Sequence, residues 1–273
     1  MPSYNQGRYV EASIISLIEQ DYAHKELIFI DGGSTDETMK IFEKYKKYFT
    51  HHVSEKDLGQ SDALQKGFNR ASGDVLTWLN SDDLLLPGAL KAVKAEFVDK
   101  PYVECVFGNV VWIDSEDLVI RCRKGDRVHR FLQKLRRLSA FGPSAFFTAD
   151  ALKRVGGVNL DLHYTMDNEL WWRFFIDGVK FSRVNEYTWA FRRHPKSKTS
   201  AYLFDESIEE AHNEVYRAER ANLERLKREH CLRCPTSIGR LAELLSRGTS
   251  LQYMASLRDS RRYKGRPLES LVT

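Results

Sequence analysis

The first two hundred residues alternate between stretches with apolar residues at helical spacing and short runs of β-branched and aromatic residues. Apolar side chains in Val10–Ile18 recur three and four residues apart, which predicts an amphipathic helix. Further helices are predicted over 35–48, 60–71, 87–98 and 168–176, and strands over 26–30, 74–79, 103–113, 145–148 and 180–184. This alternation predicts an α/β layer fold.

The pattern changes near residue 200. Residues 205–229 are charged, favour a helix and contain no Gly or Pro, and a further helix is predicted over 237–257. We therefore expect an α/β domain over residues 1–200 and a helical C-terminal extension over residues 201–273. Mixed charges such as Glu224, Arg225 and Lys227 are typical of a solvated helix face.

The chain starts with an unusual segment. Residues 1–5 have the character of a loop that follows a strand, and no strand precedes them in this sequence. We therefore expect either that the first strand of the sheet is missing or that the fold forms without it. This matters because such a strand would hold Tyr4 in place.

Composition narrows the class of protein. With 42% hydrophobic and 12% aromatic residues among 273, the chain has enough apolar surface to form a core. The formal charge of +4 gives no reason to expect nucleic acid as a partner. No apolar run approaches the ~18 residues of a membrane span, and no leader pattern is present, so a cytoplasmic location is expected. The basic stretch 258–266 is compatible with peripheral contact at the inner face of a membrane, although a packing helix or a dimer contact is favoured.

Four cysteines are present, at positions 105, 122, 231 and 234. Cys231 and Cys234 form a CxxC pair, but no second pair completes a zinc site. Ordinary reduced thiols are expected in this compartment, with zinc or redox use as the alternative.

The segment Asn80-Ser81-Asp82-Asp83 follows a strand of buried type. Ligands bind at the carboxyl edge of open α/β sheets, and two adjacent carboxylates there repel each other unless a cation compensates them. A hard divalent cation that bridges phosphates would do so. The alternative is that one of the two acids only caps the next segment.

The segment Asp31-Gly32-Gly33-Ser34-Thr35-Asp36 also lies between a strand and a helix. Its glycines permit close approach of the backbone, and a helix N-terminus favours a negative group nearby. The spacing is not that of a dinucleotide fingerprint. A plain turn with Ser34 or Thr35 as the helix N-cap explains it equally well.

Two later segments carry polar side chains of interest. Asp167 lies at the start of a predicted helix, where it is a candidate general base or a simple N-cap. Arg192, Arg193 and His194 form a basic cluster that would face phosphates or contribute a metal ligand, or would form a solvated turn.

In this order, these segments resemble family 2 glycosyltransferases, whose catalytic domain has the GT-A fold. The resemblance implies that the sheet is mixed and flanked by helices. The resemblance covers about residues 2–199. It includes the stretches 2–5, 16–20, 31–36, 57–63, 73–74, 80–83 with 87–88, 156–157, 167–173 and 191–194.

The resemblance implies a nucleotide-sugar donor. Tyr4 and Asp31 match positions that bind the nucleobase. Asp82 matches the acid that contacts the ribose or the metal, and Asp83 matches the ligand of the metal, Mn²⁺ or Mg²⁺, on the diphosphate.

It also implies a reaction. Asp167 falls at the position of the catalytic base, and Arg193 and His194 lie where relatives meet the diphosphate. Family members invert the anomeric centre by a single displacement. We expect a UDP-sugar as the favoured donor and a saccharide or a lipid-linked molecule as the acceptor.

The chain departs from the family pattern at several positions. Gly32 lies where many relatives have a second Asp, which leaves the base preference open. Gln65 replaces a common Asn, and Met166 replaces the Glu of a Glu-Asp pair, so that Asp167 is the only acid there. A nucleotidyltransferase and a non-catalytic protein that binds nucleotide sugars are the alternative functions.

Overall fold

The computed structural model describes residues 1–125, 144–198, 210–230 and 251–272. The strands are β1 (Pro2–Ser3), β2 (Ile28–Asp31), β3 (His51–Ser54), β4 (Val75–Leu76), β5 (Leu84–Leu85), β6 (Cys105–Ile113), β7 (Val119–Arg123), β8 (Ala145–Thr148) and β9 (Phe181–Arg192). The helices are α1 (Val10–Ile18), α2 (Thr38–Tyr45), α3 (Gln60–Arg70), α4 (Ala89–Asp99), α5 (Ala149–Arg154), α6 (Met166–Asp177), α7 (Glu210–His230), α8 (Leu251–Tyr263) and α9 (Glu269–Val272).

The strands form two sheets. The first has the order β1-β2-β3 and is parallel throughout. The second has the order β4-β8-β6-β9-β5, with β7 paired to β6, and it is mixed because β6 and β9 run parallel while β4, β5, β7 and β8 pair antiparallel with their neighbours. The predicted α/β fold with a mixed sheet and flanking helices is confirmed.

The apolar core lies between the sheets and the helices. One buried cluster joins α1, β2 and α2 to β6 and Trp189 of β9. A second cluster lies under α6, where Trp78 and Trp171 stack with ring centroids 5.5 Å apart. Aromatic rings bury a large area each, so these contacts fix α6 against the second sheet.

Most predicted elements are confirmed, and their ends differ for identifiable reasons. Helix α1 has the predicted bounds. Helix α2 begins at Thr38 rather than near Thr35, because Asp36 Oδ1 accepts the hydrogen bond of Thr38 N and the Ser34 hydroxyl donates to Asp31. Strand β9 runs on to Arg192, because it pairs with β6 over most of its length.

The first strand is present after all, as the two residues Pro2–Ser3. They pair in parallel with Ile30 and Asp31 of β2. The expectation of a loop without a strand is therefore corrected, and Tyr4 directly follows this strand.

The C-terminal helices pack on the α/β part. Leu223 of α7 is buried against Trp172 and Phe175 of α6. On α8, Asp259 accepts a hydrogen bond from the Tyr187 hydroxyl at 2.8 Å and forms an ion pair with Lys124. Within the described ranges, no helix is both long enough and apolar enough to cross a bilayer.

Several predictions fall outside the described residues. These are the boundary near residue 200, the first part of the helix predicted over 237–257, and the pair Cys231 and Cys234. The other two cysteines, Cys105 and Cys122, are buried free thiols, and burial raises the pKa of each.

Candidate active site

A cavity of about 580 Å³ opens where several chain segments end at one edge of the two sheets. Residues far apart in the sequence line it, namely Ser3, Tyr4, Gly32, Asp57, Asn80, Asp82, Tyr164, Asp167, Lys196 and Lys198 among others. The cavity combines apolar and aromatic walls with a few polar groups, which is the usual character of a small-molecule site.

Tyr4 stands at one end of the cavity with 60% of its surface exposed. The turn that carries it is fixed by its neighbour Asn5, whose φ is 51°. The Asn5 backbone N–H donates to Ser34 Oγ, and Asn5 Oδ1 accepts from Thr35 N, both at 2.8 Å. An exposed ring on a fixed turn is suited to stacking on a planar group.

Asp31 is fully buried beneath this end and does not line the cavity. Its Oδ2 accepts hydrogen bonds from Gly33 N, Ser34 N and the Ser54 hydroxyl, at 3.1, 2.8 and 2.7 Å. The structure therefore places Asp31 as the residue that shapes the loop after β2. In this arrangement its carboxylate does not face a ligand in the cavity.

The carboxylate that does face the cavity here belongs to Asp57. A Cβ atom added to Gly32 would lie 2.8 Å from Asp57 Oδ2, so the carboxylate occupies the space of a side chain at position 32. Asp57 Oδ1 accepts a hydrogen bond from Gly59 N at 2.9 Å. Burial raises the pKa of Asp57, and the negative charges of Asp62 and Asp31 add to this effect.

Asp82 lies in the loop between β4 and β5, and its carboxylate lines the cavity with 17% of the side chain exposed. Asp82 Oδ2 is 3.2 Å from Nε2 of His194. Asn80, two residues earlier, also lines the cavity, and its Oδ1 accepts a hydrogen bond from Gln60 Nε2 at 2.8 Å.

Asp83 points away from the cavity and is 1% exposed. Its Oδ1 accepts a hydrogen bond from Arg192 N at 2.9 Å, and its Oδ2 accepts one from Asn80 Nδ2 at 3.0 Å. Burial, and then the charge of Asp82, raise the pKa of Asp83 well above its usual range. Asp83, the expected metal ligand, is therefore buried, links the Asp82 loop to β9 through Arg192 N, and is not among the residues that line the cavity.

The basic cluster at the end of β9 divides into three roles. Arg192 is buried, and its Nε donates to the Asp82 carbonyl at 2.8 Å while its Nη1 donates to Asp117. His194 is buried against Tyr9, with ring centroids 4.5 Å apart. The Arg193 backbone N–H donates to Ile113 at 2.8 Å, and neither Arg193 nor His194 is among the residues that line the cavity.

Asp167 also lines the cavity, from the first turn of α6, and it is half-buried. Its Oδ1 accepts a hydrogen bond from Asn168 N at 2.6 Å. Burial raises its pKa, and the positive charge of Lys198 acts in the opposite direction. The Lys198 ammonium lies 5.3 Å from the centroid of the Tyr164 ring, and desolvation lowers the pKa of Lys198 to about 8.

The residues present are compatible with a divalent cation, although they do not form a complete protein cage. Among the described residues, no three His, Cys, Asp or Glu side chains are grouped to hold a metal ion. Mg²⁺ is commonly held by one or two carboxylates together with phosphate oxygens of the substrate. Asp82, with the amide of Asn80 beside it, fits that donor set.

Sequence reasoning did not assign a role to Asp57, Lys196 or Lys198. Asp57 lies in a stretch that resembles the family, and this was the available signal. Nothing in the local pattern marks the two lysines, because they reach the cavity only through the path of the chain after β9.

Comparison with known proteins agrees with this geometry. The profile of "Glycosyl transferase family 2" matches residues 1–152. An uncharacterized glycosyltransferase of Rickettsia prowazekii is 26% identical over 193 residues, which cover 66% of this chain and 59% of that protein. Chondroitin synthase of Escherichia coli is 25% identical over 190 residues, 68% of this chain and 27% of that one. The chain thus spans only part of the length of these relatives.

Solved structures share the fold. The Staphylococcus aureus TarS fragment 1–349, in complex with UDP-GlcNAc, superposes with a TM-score of 0.62 at 18% identity, covering 99% of this chain and 82% of that one. The mannosyltransferase PcManGT of Pyrobaculum calidifontis, in complex with GDP-Man and Mn²⁺, gives 0.55 at 18% identity, with 99% and 76% covered. With more than half of its length matched by the family profile, the chain belongs to glycosyl transferase family 2 and has the GT-A fold.

Proposed function

We propose that this chain transfers a sugar from a nucleotide diphosphate donor, with UDP favoured, to a hydroxyl group of an acceptor, with inversion at the anomeric carbon. One observation carries the proposal: a single cavity brings together Tyr4, Asp82 and Asp167, from three distant parts of the chain. An aromatic ring for the base, an acid that could hold a metal ion on the diphosphate, and a second acid that could act as the base are the groups that such a transfer requires.

The donor would lie along the cavity from Tyr4 to Asp82. The Tyr4 ring would stack on the nucleobase, and the Asp57 carboxylate beside Gly32 would accept hydrogen bonds from the N–H groups of the base. Lys196 and Lys198 line the same cavity and would offset the charge of the diphosphate.

The transfer would take place in one displacement. The acceptor oxygen forms a bond to the anomeric carbon as the bond from that carbon to the diphosphate oxygen breaks. The Asp167 carboxylate takes the proton of the acceptor hydroxyl, and the electron pair of the broken bond leaves with the nucleoside diphosphate. General-base catalysis of this kind typically contributes about 10²–10⁴-fold to the rate.

Asp82 would hold a divalent cation, Mn²⁺ or Mg²⁺, in the proposed site. When bound, it supplies Lewis-acid stabilisation of the charge on the departing diphosphate. We assign Asp82 as its protein ligand, with Asn80 beside it, and we assign Asp83 to the support of this loop.

The acceptor class is less constrained. Chondroitin synthase is named for a polysaccharide product, which supports a saccharide or a lipid-linked saccharide as the acceptor here. Contact with a membrane surface stays a prediction from the basic stretch 258–266.

The test has two parts. UDP and GDP are titrated calorimetrically into the protein with and without Mn²⁺, and nucleotide release from UDP-sugars and GDP-mannose is followed in the wild type and in Asp167→Asn. We expect metal-dependent binding of UDP that Asp167→Asn preserves, and turnover that this variant reduces by about 10²–10⁴-fold. Absence of nucleotide binding, or full turnover in Asp167→Asn, would contradict the proposal.

A further inference from the structure

Glu219 lies on α7, in the helical extension, and is 5% exposed. Its Oε1 accepts a hydrogen bond from His163 N at 2.6 Å. Its Oε2 accepts three more, from Tyr164 N, Thr165 N and the Thr165 hydroxyl, at 3.0, 2.9 and 3.1 Å. A carboxylate from one part of the chain thus binds the three consecutive N–H groups of a turn in another part.

That turn leads directly into the active site. Residues 163–165 immediately precede α6, and Asp167 is the second residue of that helix. Thr165 is the N-cap residue of α6, but its side chain makes no capping bond to the helix and donates to Glu219 instead. The position of the first turn of α6 therefore depends on a residue of α7.

Docking of α7 does not by itself require a buried acid. Leu223 packs between Trp172 and Phe175, and the Lys227 ammonium lies 5.5 Å from the centroid of the Trp172 ring. Burial of a carboxylate is costly unless it is hydrogen-bonded, and the four donors at the turn compensate that cost. The Glu219 carboxylate is therefore complementary to the hydrogen-bond donors of the turn 163–165.

The charge of Glu219 also acts on a cation that lines the cavity, the Lys198 ammonium. The negative charges of Glu219, Asp167 and Asp57 all act on the Lys198 ammonium, which lies over the ring of Tyr164. Glu219 thus lies behind the wall that Tyr164, Asp167 and Lys198 present to the cavity.

We propose that Glu219 is a positioning residue for sugar transfer. It holds the turn 163–165 so that Asp167 faces the acceptor hydroxyl, and it thereby couples the helical extension to the reaction. This inference rests on the proposed role of Asp167 as the base. Glu219 itself does not line the cavity, so it acts through Asp167 rather than on the substrate.

The experiment compares Glu219→Gln with Glu214→Gln, a change of an exposed acid on the same helix. In Glu219→Gln the amide group points an N–H₂ donor at N–H donors of the turn, so we expect the turn to shift. Misplacement by about 1 Å can cost about 10²-fold in rate, so kcat for release of UDP from the donor sugar should fall by about 10- to 100-fold. The Kd for UDP should change by less than kcat does, because Tyr4 and Asp82 are untouched and only the charge balance at Lys198 is altered, and Glu214→Gln should match the wild type in both measurements.

Hydrogen exchange supplies a readout that is independent of turnover. The amides of residues 163–165 should exchange faster in Glu219→Gln, while the amides of β6 stay protected. Full kcat in Glu219→Gln with faster exchange at the turn would overturn the inference. A loss of UDP affinity as large as the loss of kcat would also overturn it, because that result indicates general damage to the fold.

Two further variants separate this inference from the proposed function. Combined with Asp167→Asn, the Glu219→Gln change should cost nothing more, because residues that act as one unit are not additive. If the single variant Asp167→Asn keeps full turnover, both the proposed function and this inference fail. If Asp167→Asn loses turnover but Glu219→Gln keeps it in full, only this inference fails. Should Glu219→Gln not fold, Glu219→Asp keeps the charge on a side chain one methylene shorter, and full kcat in that variant together with faster exchange at residues 163–165 would overturn the inference.

Discussion

The carboxylates of the neighbouring residues Asp82 and Asp83 have opposite environments. Asp82 faces the cavity, whereas Asp83 is buried and accepts hydrogen bonds from Arg192 N and Asn80 Nδ2. The sequence places the two acids side by side and cannot distinguish them, because the distinction comes from β9, more than a hundred residues later.

This contrast makes a first prediction. Asp82→Asn should abolish metal-dependent binding of UDP and leave the melting temperature nearly unchanged, because its carboxylate is exposed to the cavity. Asp83→Asn should lower the free energy of unfolding by about 1–3 kcal/mol, because its N–H₂ group would oppose one of two donors. Two measurements on both variants test this prediction: calorimetric titration with UDP, and unfolding in urea. If instead Asp83→Asn abolished metal-dependent binding of UDP and Asp82→Asn only lowered the free energy of unfolding, Asp83 would be the metal ligand.

The environment of Asp167 makes a second prediction, on pH. A base must be deprotonated to act, and burial raises the pKa of Asp167 above the ordinary value of 3.8. We therefore expect kcat to fall on the acid side, with a midpoint above pH 3.8. The charge of Lys198 opposes that rise, so Lys198→Met should move the midpoint to higher pH, and Lys196→Met should move it less. If Lys198→Met leaves the pH midpoint of this fall in kcat unchanged, the titration of Asp167 is not its cause.

At the scale of elements, local pattern predicted helices and strands well where one face of the element is buried in the core. Helix α1 has its predicted ends because its apolar residues recur at helical spacing. Strand β4 is shorter than the predicted 74–79 because only Val75 and Leu76 pair with β8. The burial of Glu219 was not predictable, because a charged helix normally indicates a solvated face and the donors at residues 163–165 are visible only in the fold.

Helix α8 is attached to the sheet by polar side chains, which makes a third prediction. Asp259 is 7% exposed and interacts with Lys124 and the Tyr187 hydroxyl. Replacement by Asn removes a charge-assisted hydrogen bond and an ion pair, so Asp259→Asn should lower the free energy of unfolding by about 1–3 kcal/mol at neutral pH. Asp161→Asn, at an exposed position, is the control.

The same residue has a defined pH dependence. The hydrogen bond and the charge of Lys124 hold the pKa of Asp259 below its ordinary value of 3.8. Its contribution is therefore complete above pH 3.8 and is lost as the pH falls through the lower, folded-state pKa. Unfolding curves of wild type and Asp259→Asn should converge in acid, and a difference that persists below that pKa would exclude this ion pair as the cause.

At the scale of the whole molecule, the active site exists only where the two sheets and α6 meet. Tyr4 follows β1, Asp82 precedes β5, Asp167 starts α6 and Lys198 follows β9. The resemblance to the family assigned Tyr4, Asp82 and Asp167 to one site, and all three line the cavity, but it gave no role to Lys198. It did not predict that Asp31, Asp83 and His194 lie behind the cavity wall, because burial depends on packing that no single segment determines.

The close approach of Asp57 to Gly32 has a consequence for how such sites change during evolution. A Cβ atom at position 32 would lie 2.8 Å from Asp57 Oδ2, so a side chain there requires the Asp57 carboxylate to move. A second carboxylate at position 32 would also repel that of Asp57. We therefore expect positions 32 and 57 to vary together among relatives, so that one negative charge is kept beside β2.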